Sequence, residues 1–235
     1  MDNFRDKIDF FYEILSDLED RLGGKRQLKN CDGFMNWPLR GIYFFFENGE
    51  PRSKKKGLRV VRVGTHALKL NSKSTLWGRL RQHRGTSEYK GNHRGSIFRL
   101  HLGSAIINRE NLEKQYPNWE VGQSAPRDIR DQEVSMEIRV SNYIGDMPFL
   151  WLSVEDQAGP ESKRGHFERN SIVLLSNFES LKNSNLTDPP SKEWLGFHCS
   201  NEKVRTSGLW NVRHVQEKRL DPSFLHLLEK KVAQL

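Results

Sequence analysis

Two side chains four residues apart, Arg79 and His83, have the types and spacing to act together on one phosphate. The stretch that holds them passes through Leu76, Trp77 and Leu80 to Gln82, and it reads as a helix that Ser74 can cap and Gly85 can end. Residues four apart on a helix stand about 5–6 Å apart at Cβ. A guanidinium can therefore clamp negative charge while the imidazole beside it handles a proton. Basic residues gather nearby in three clusters, at 52–56, 79–84 and 90–94. From these the expected phosphate contacts are Lys54, Lys55, Lys56, Arg81, Arg84, His93 and Arg94. The chain as a whole carries 38 Lys and Arg against 30 Asp and Glu, a formal charge of +8, which attracts polyanions.

The elements that must position these groups are legible in outline. Residues 1–24 read as an acidic amphipathic helix with Ile8, Phe11, Ile14, Leu15, Leu18 and Leu22 on one face. An aromatic and β-branched run at 39–46, closed by Glu47-Asn48-Gly49, and a second run at 58–63, closed by Gly64, read as a hairpin whose loop is a basic finger. After the Arg79 helix, 97–107 fits either a strand or a helix, and Ser96 as a cap favours the helix. Then come a polar insert at about 108–131, a helix at 134–144, a strand at 148–154 and a helix at 164–178. A turn-rich stretch and a last helix at 222–232 complete the chain.

Other classes of protein fit poorly. Cys31 and Cys199 are too few and too far apart for a disulfide framework or a thiolate zinc site, so a reducing cytoplasm is the expected compartment. The start of the chain lacks the basic end and apolar run of a secretory signal. No apolar stretch approaches the ~20 residues needed to cross a bilayer.

Gly41-Ile42-Tyr43, followed by strand, helix, helices, strand and helix in that order, resembles the GIY-YIG nuclease family, in particular its restriction-endonuclease-like members. The resemblance implies a small α/β (α+β) domain with an antiparallel three-stranded sheet flanked by helices. It divides the chain into a helical extension at 1–30, a nuclease core at 36–180 and a C-terminal extension at 181–235 packed on the core. The family's second signature, Tyr-Ile-Gly, falls at Arg62-Val63-Gly64, where arginine replaces the tyrosine. A literal Tyr143-Ile144-Gly145 lies on a later helix and cannot pair with the first strand, so it is read as a coincidence.

What the resemblance implies for function is a metal-dependent endonuclease that hydrolyses DNA, in restriction or phage defence. Arg79 and His83 match the family's Arg-x-x-x-His arrangement. Glu168, on the helix after the third strand, is the expected ligand of Mg²⁺ or Mn²⁺; Glu137 is the rival but precedes that strand. Asn211, after Trp210, matches an asparagine found late in several members, with Asn170 and Asn177 as nearer alternatives. Tyr43 would take a proton from the attacking water or orient it. A phenol ionises near 10, so this role needs a neighbouring cation or the metal, and Arg62 is the candidate cation. His83 is the rival base, and His66 a further one. The expected partner is double-stranded DNA, with a second copy of the chain or another defence protein as a possible associate. Sequence choice would come from 108–131, 179–210 or that associate. The competing reading is an inactive module that keeps the fold and binds nucleic acid with a partner, for which Arg62 in the tyrosine's place is the argument.

Overall fold

The computed structural model describes residues 4–53, 55–86, 88, 90–178 and 188–235. Its elements in chain order are α1 (Phe4–Leu22), β1 (Arg26–Gln27), β2 (Gly41–Pro51), β3 (Leu58–Gly64), α2 (Leu76–Arg84), α3 (Ile97–Glu110), α4 (Arg127–Asp146), β4 (Pro148–Ser153), α5 (Lys163–Leu175), α6 (Glu202–Ser207) and α7 (Phe224–Val232). The four strands form one antiparallel sheet in the order β1-β4-β2-β3. The three longer strands are those expected. Strand β1 has two residues and carries no periodic signal.

Alternation along β2 feeds two cores on opposite faces of the sheet. Tyr43 and Phe45 face α2, α3 and α4 with Leu80, Phe98 and Met136. Ile42, Phe44 and Phe46 face α1, α5 and α7 with Phe11, Phe167 and Phe224. Helix α3 resolves the strand-or-helix ambiguity. It is buried around most of its circumference, so apolar residues occur at every phase and the period is blurred. Ser96 caps it as expected, accepting a hydrogen bond from the Arg99 N–H. For α2 the cap is Thr75 rather than Ser74, because the Thr75 side chain accepts from the Gly78 N–H. Helix α4 starts at Arg127, inside the expected insert, and Tyr116 and Trp119 from that insert are buried in the core.

A β-bulge decides which way β3 points. Tyr43 pairs with Gly64, Phe44 with Val63 and Phe45 with Arg62, but Phe46 pairs with Val60, so Val61 is the extra residue. Uninterrupted pairing outward from Phe46 and Val60 would set Arg62 opposite Phe44, on the α1 face. The bulge returns it to the face of Tyr43, a known use of such irregularities. The outer edge of β3 is covered by the C-terminal part of the chain: the Trp210 N–H donates to the Val61 carbonyl at 2.8 Å, and Asn211 brackets Val63 from the same side.

Candidate active site

Of the two signature glycines, Gly64 makes room for Tyr43 and Gly41 lets β2 lie close to β4. A Cβ on Gly64 would stand 2.3 Å from the Tyr43 hydroxyl, because the ring lies across its cross-strand partner. A Cβ on Gly41 would stand 2.6 Å from the Leu152 carbonyl oxygen of β4. Fixed in this way, the Tyr43 hydroxyl meets His83 Nε2 at 2.8 Å. The other imidazole nitrogen, Nδ1, meets Ser96 Oγ at 2.8 Å. Both Tyr43 and His83 are fully buried. Burial, with Arg79, Arg62 and Arg99 around it, holds His83 well below the ordinary histidine range. The imidazole is therefore neutral at physiological pH, with one N–H and one lone pair. Arg99 also anchors the end of α2, donating to the His83 carbonyl at 2.7 Å.

Arg62 completes the inner part of the site. Its guanidinium lies 4.7 Å over the Phe98 ring and donates to the Trp210 carbonyl, with Tyr43 and Glu168 as the anionic or polar groups in its field. Burial draws it below the usual arginine value, and the neighbouring Arg79 works the same way. Glu168 approaches from α5 at the end of β3: its Oε1 accepts from the Thr65 N–H at 3.1 Å. Burial raises its proton affinity, against the pull of Arg62, His214, the Thr65 N–H and Arg79. Arg79 and Glu168 are only half-buried, whereas Tyr43 and His83 lie behind them.

Other expected residues lie elsewhere. Asn211 spends its amide on Val63, accepting from the N–H at 3.1 Å and donating to the carbonyl at 2.8 Å, so it staples the strand end rather than facing a substrate. His66 is bound to the Ser74 carbonyl at 2.9 Å and burial pushes it to about 4, which leaves it a neutral core histidine. Glu137 is occupied by Arg99 and His93, and Tyr143 donates to Glu47. Two expected phosphate contacts are corrected. His93 is 1% exposed and stacks on Trp119, and Arg94 is held by both carboxylate oxygens of Glu133 and by the Asn118 carbonyl. Arg84 is half-buried against Trp77 and the Cys31 carbonyl. The basic finger folds back: Arg52 and Lys55 both pair with Asp9 of α1. Lys56 and Arg81 remain exposed, and Lys54 lies outside the described residues.

A family model described as the GIY-YIG domain matches residues 2–235. The chain belongs to the GIY-YIG family. No curated protein and no solved structure matches it. Membership gives this GIY-YIG chain a nuclease-type function, with DNA as the substrate and a divalent metal ion as the usual cofactor of the family. The match runs over the expected 36–180 core and over the extensions on both sides of it. The sequence did not mark Ser96, Thr65 or His214 as parts of the site. Ser96 read only as a helix cap, Thr65 contributes a backbone N–H, and His214 is placed by a left-handed backbone (φ 63°) that its residue type does not announce.

Whether this GIY-YIG site suits a metal turns on one carboxylate. Among the described residues no three His, Cys, Asp or Glu side chains group as a metal cage. Glu168 Oε2 has no hydrogen-bond partner among them, and a desolvated carboxylate of raised proton affinity is one that a hard cation would stabilise. Mg²⁺ commonly takes one or two carboxylates, keeps several waters and accepts substrate phosphate oxygens. The residues fit such an ion.

Proposed function

We propose that the chain is a metal-dependent endonuclease that hydrolyses a phosphodiester bond of double-stranded DNA, in restriction or phage defence in the cytoplasm. The observation that carries this reading is the 2.8 Å contact between the Tyr43 hydroxyl and a neutral His83, with Arg62, Arg79 and Glu168 gathered beside it.

Arg79 and Glu168 are the partly exposed groups, so the scissile phosphate meets them first. Arg79 holds its charge. Tyr43 passes its hydroxyl proton to His83 Nε2 as the phenol oxygen takes a proton from the attacking water. This direction requires Nδ1 to carry its hydrogen toward Ser96 Oγ, which already serves as an acceptor for the Arg99 N–H. Arg62, fixed by the bulge, faces the charge that develops on the phenol and the phosphate. Its guanidinium cannot exchange a proton as the second-signature tyrosine could, so His83 is the proton acceptor here. A Mg²⁺ or Mn²⁺ held by Glu168 would supply charge stabilisation at the phosphate and the leaving oxygen.

Supercoiled plasmid incubated with Mg²⁺ or Mn²⁺ tests the reading. Wild type should nick or linearise it, and Glu168→Ala and Arg79→Ala should not. Intact plasmid under every metal, with a retained gel shift, would establish the inactive binding module instead.

A further inference from the structure

Helix α5 carries Glu168 on one side and a strongly basic groove on the other. The groove, of about 950 Å³, lies between α5 and α7 and is lined by Lys163, Arg169, Arg219, Lys230 and Lys231, against only two carboxylates, Glu161 and Asp221. The lining thus carries five basic side chains against two carboxylates, and of the five Arg169 is also paired with Glu217. Like charges brought together repel, and the arrangement is stable in the presence of a polyanion that spans them. His166 also lines this groove, and its Nε2 is buried with no hydrogen-bond partner, 3.7 Å from Asp221. The two carboxylates offset part of this charge, and Asp221, held ionised by the N–H and hydroxyl of Ser223 that both donate to it at 2.8 Å, lies at one side of the groove.

The groove is joined to the site through the segment that precedes α7. His214 lies in the field of Glu168, pairs with Glu217 at 2.6 Å, and Glu217 in turn pairs with Arg169 at the groove. Site and groove share α5, a helix about 10–12 Å across. By contrast, Arg52 and Lys55 are paired with Asp9, and Arg94 with Glu133.

We infer that the α5–α7 groove is a second nucleic-acid site, which seats the phosphate backbone of the duplex that flanks the scissile bond. The inference rests on the nuclease reading for the identity of the polyanion, and it assigns the flanking contact to Lys163, Lys230 and Lys231 rather than to the hairpin finger. These lysines give non-specific grip and register, not base recognition.

The test uses the full-length chain carrying Glu168→Gln, so that binding is read without cleavage. Fluorescence anisotropy compares a duplex of about 8 base pairs with one of about 24, at several salt concentrations. The parent should prefer the long duplex by at least tenfold. Adding Lys163→Ala, Lys230→Ala and Lys231→Ala should abolish that preference and flatten the salt slope by about 3. A second set, with the same lysines changed to arginine, should restore both, and thermal melts should match the parent in each case. An unchanged length preference and salt slope in the alanine set overturns the groove. So does a loss confined to inorganic phosphate or to an acidic peptide, which would make the groove a site for those ligands. If Arg79→Ala weakens both duplexes while the lysine set changes neither, the site survives and the groove falls. If the lysine set loses the preference but the otherwise wild-type chain cuts nothing, the groove stands and the nuclease reading falls.

Discussion

Glu168 shows the tension a buried carboxylate puts into a fold. Its proton affinity is raised by burial, so between the ordinary glutamate value and the raised one the folded chain binds more protons than the unfolded chain. Stability contributed by this group is therefore present at low pH and is lost as pH rises through the raised value. Glu168→Gln should raise the melting temperature at neutral pH, lose that advantage below about pH 4.5, the ordinary glutamate value, and abolish cleavage. A variant that melts lower than wild type at pH 7 would show that the carboxylate is a structural partner instead. Because His83 lies well below the histidine range, kcat/KM against pH should show no inflection near 6.5 from the imidazole. Tyr43→Phe should lower kcat by about 10²–10⁴-fold, the usual scale of proton transfer. The ring is retained but the buried bond to His83 is lost, so stability should fall by about 1–3 kcal/mol; equal cleavage by the two proteins would remove Tyr43 from the chemistry.

At the scale of the elements, the hairpin is what the site depends on. A methyl group on Gly64 would stand 2.3 Å from the hydroxyl of Tyr43, whose ring is fully buried. Gly64→Ala should destabilise the fold by about 1–3 kcal/mol and separate Tyr43 from His83, which urea unfolding and a cleavage assay would register together. Wild-type values in both would mean that Tyr43 repacks freely. Much of this element was legible. Gly41-Ile42-Tyr43 and the glycine at 64 located the pair of strands, and Arg79 with His83 located the helix against them. The bulge at Val61 was not legible, since an extra residue in one strand leaves no mark in an apolar run such as Leu58 to Val63. Without it, the sequence could name Arg62 but could not say that it shares a face with Tyr43. The same limit explains His93 and Arg94. A loop rich in basic residues looks like a phosphate contact until the acidic helix α4, far along the chain, places Glu133 and Glu137 against it.

Considered as a whole molecule, the chain does not divide where composition changes. Trp194 and Trp210, both beyond the expected nuclease core, are fully buried, and their indole N–H groups donate to Glu47 of β2 at 3.2 and 3.0 Å. Glu47 is a buried carboxylate whose proton affinity is raised by that burial, so these donors, with the Tyr143 hydroxyl, are what make it tolerable inside the protein. The same segment covers the outer edge of β3 at Val61 and Val63. A chain ending at Phe178 would expose that edge and leave Glu47 without two of its partners. An unpaired strand edge invites association, and an orphaned buried carboxylate costs several kcal/mol. The truncated chain should aggregate or melt without cooperativity, while the full chain unfolds in one transition by circular dichroism and by tryptophan fluorescence. A soluble 1–178 fragment with a sharp melt would show that the segment beyond Phe178 is an accessory. The expected result would instead place the basic groove, built from α5, α7 and the segments beside them, inside the same folding unit as Tyr43 and His83, and so hold the two proposed nucleic-acid contacts at a fixed spacing.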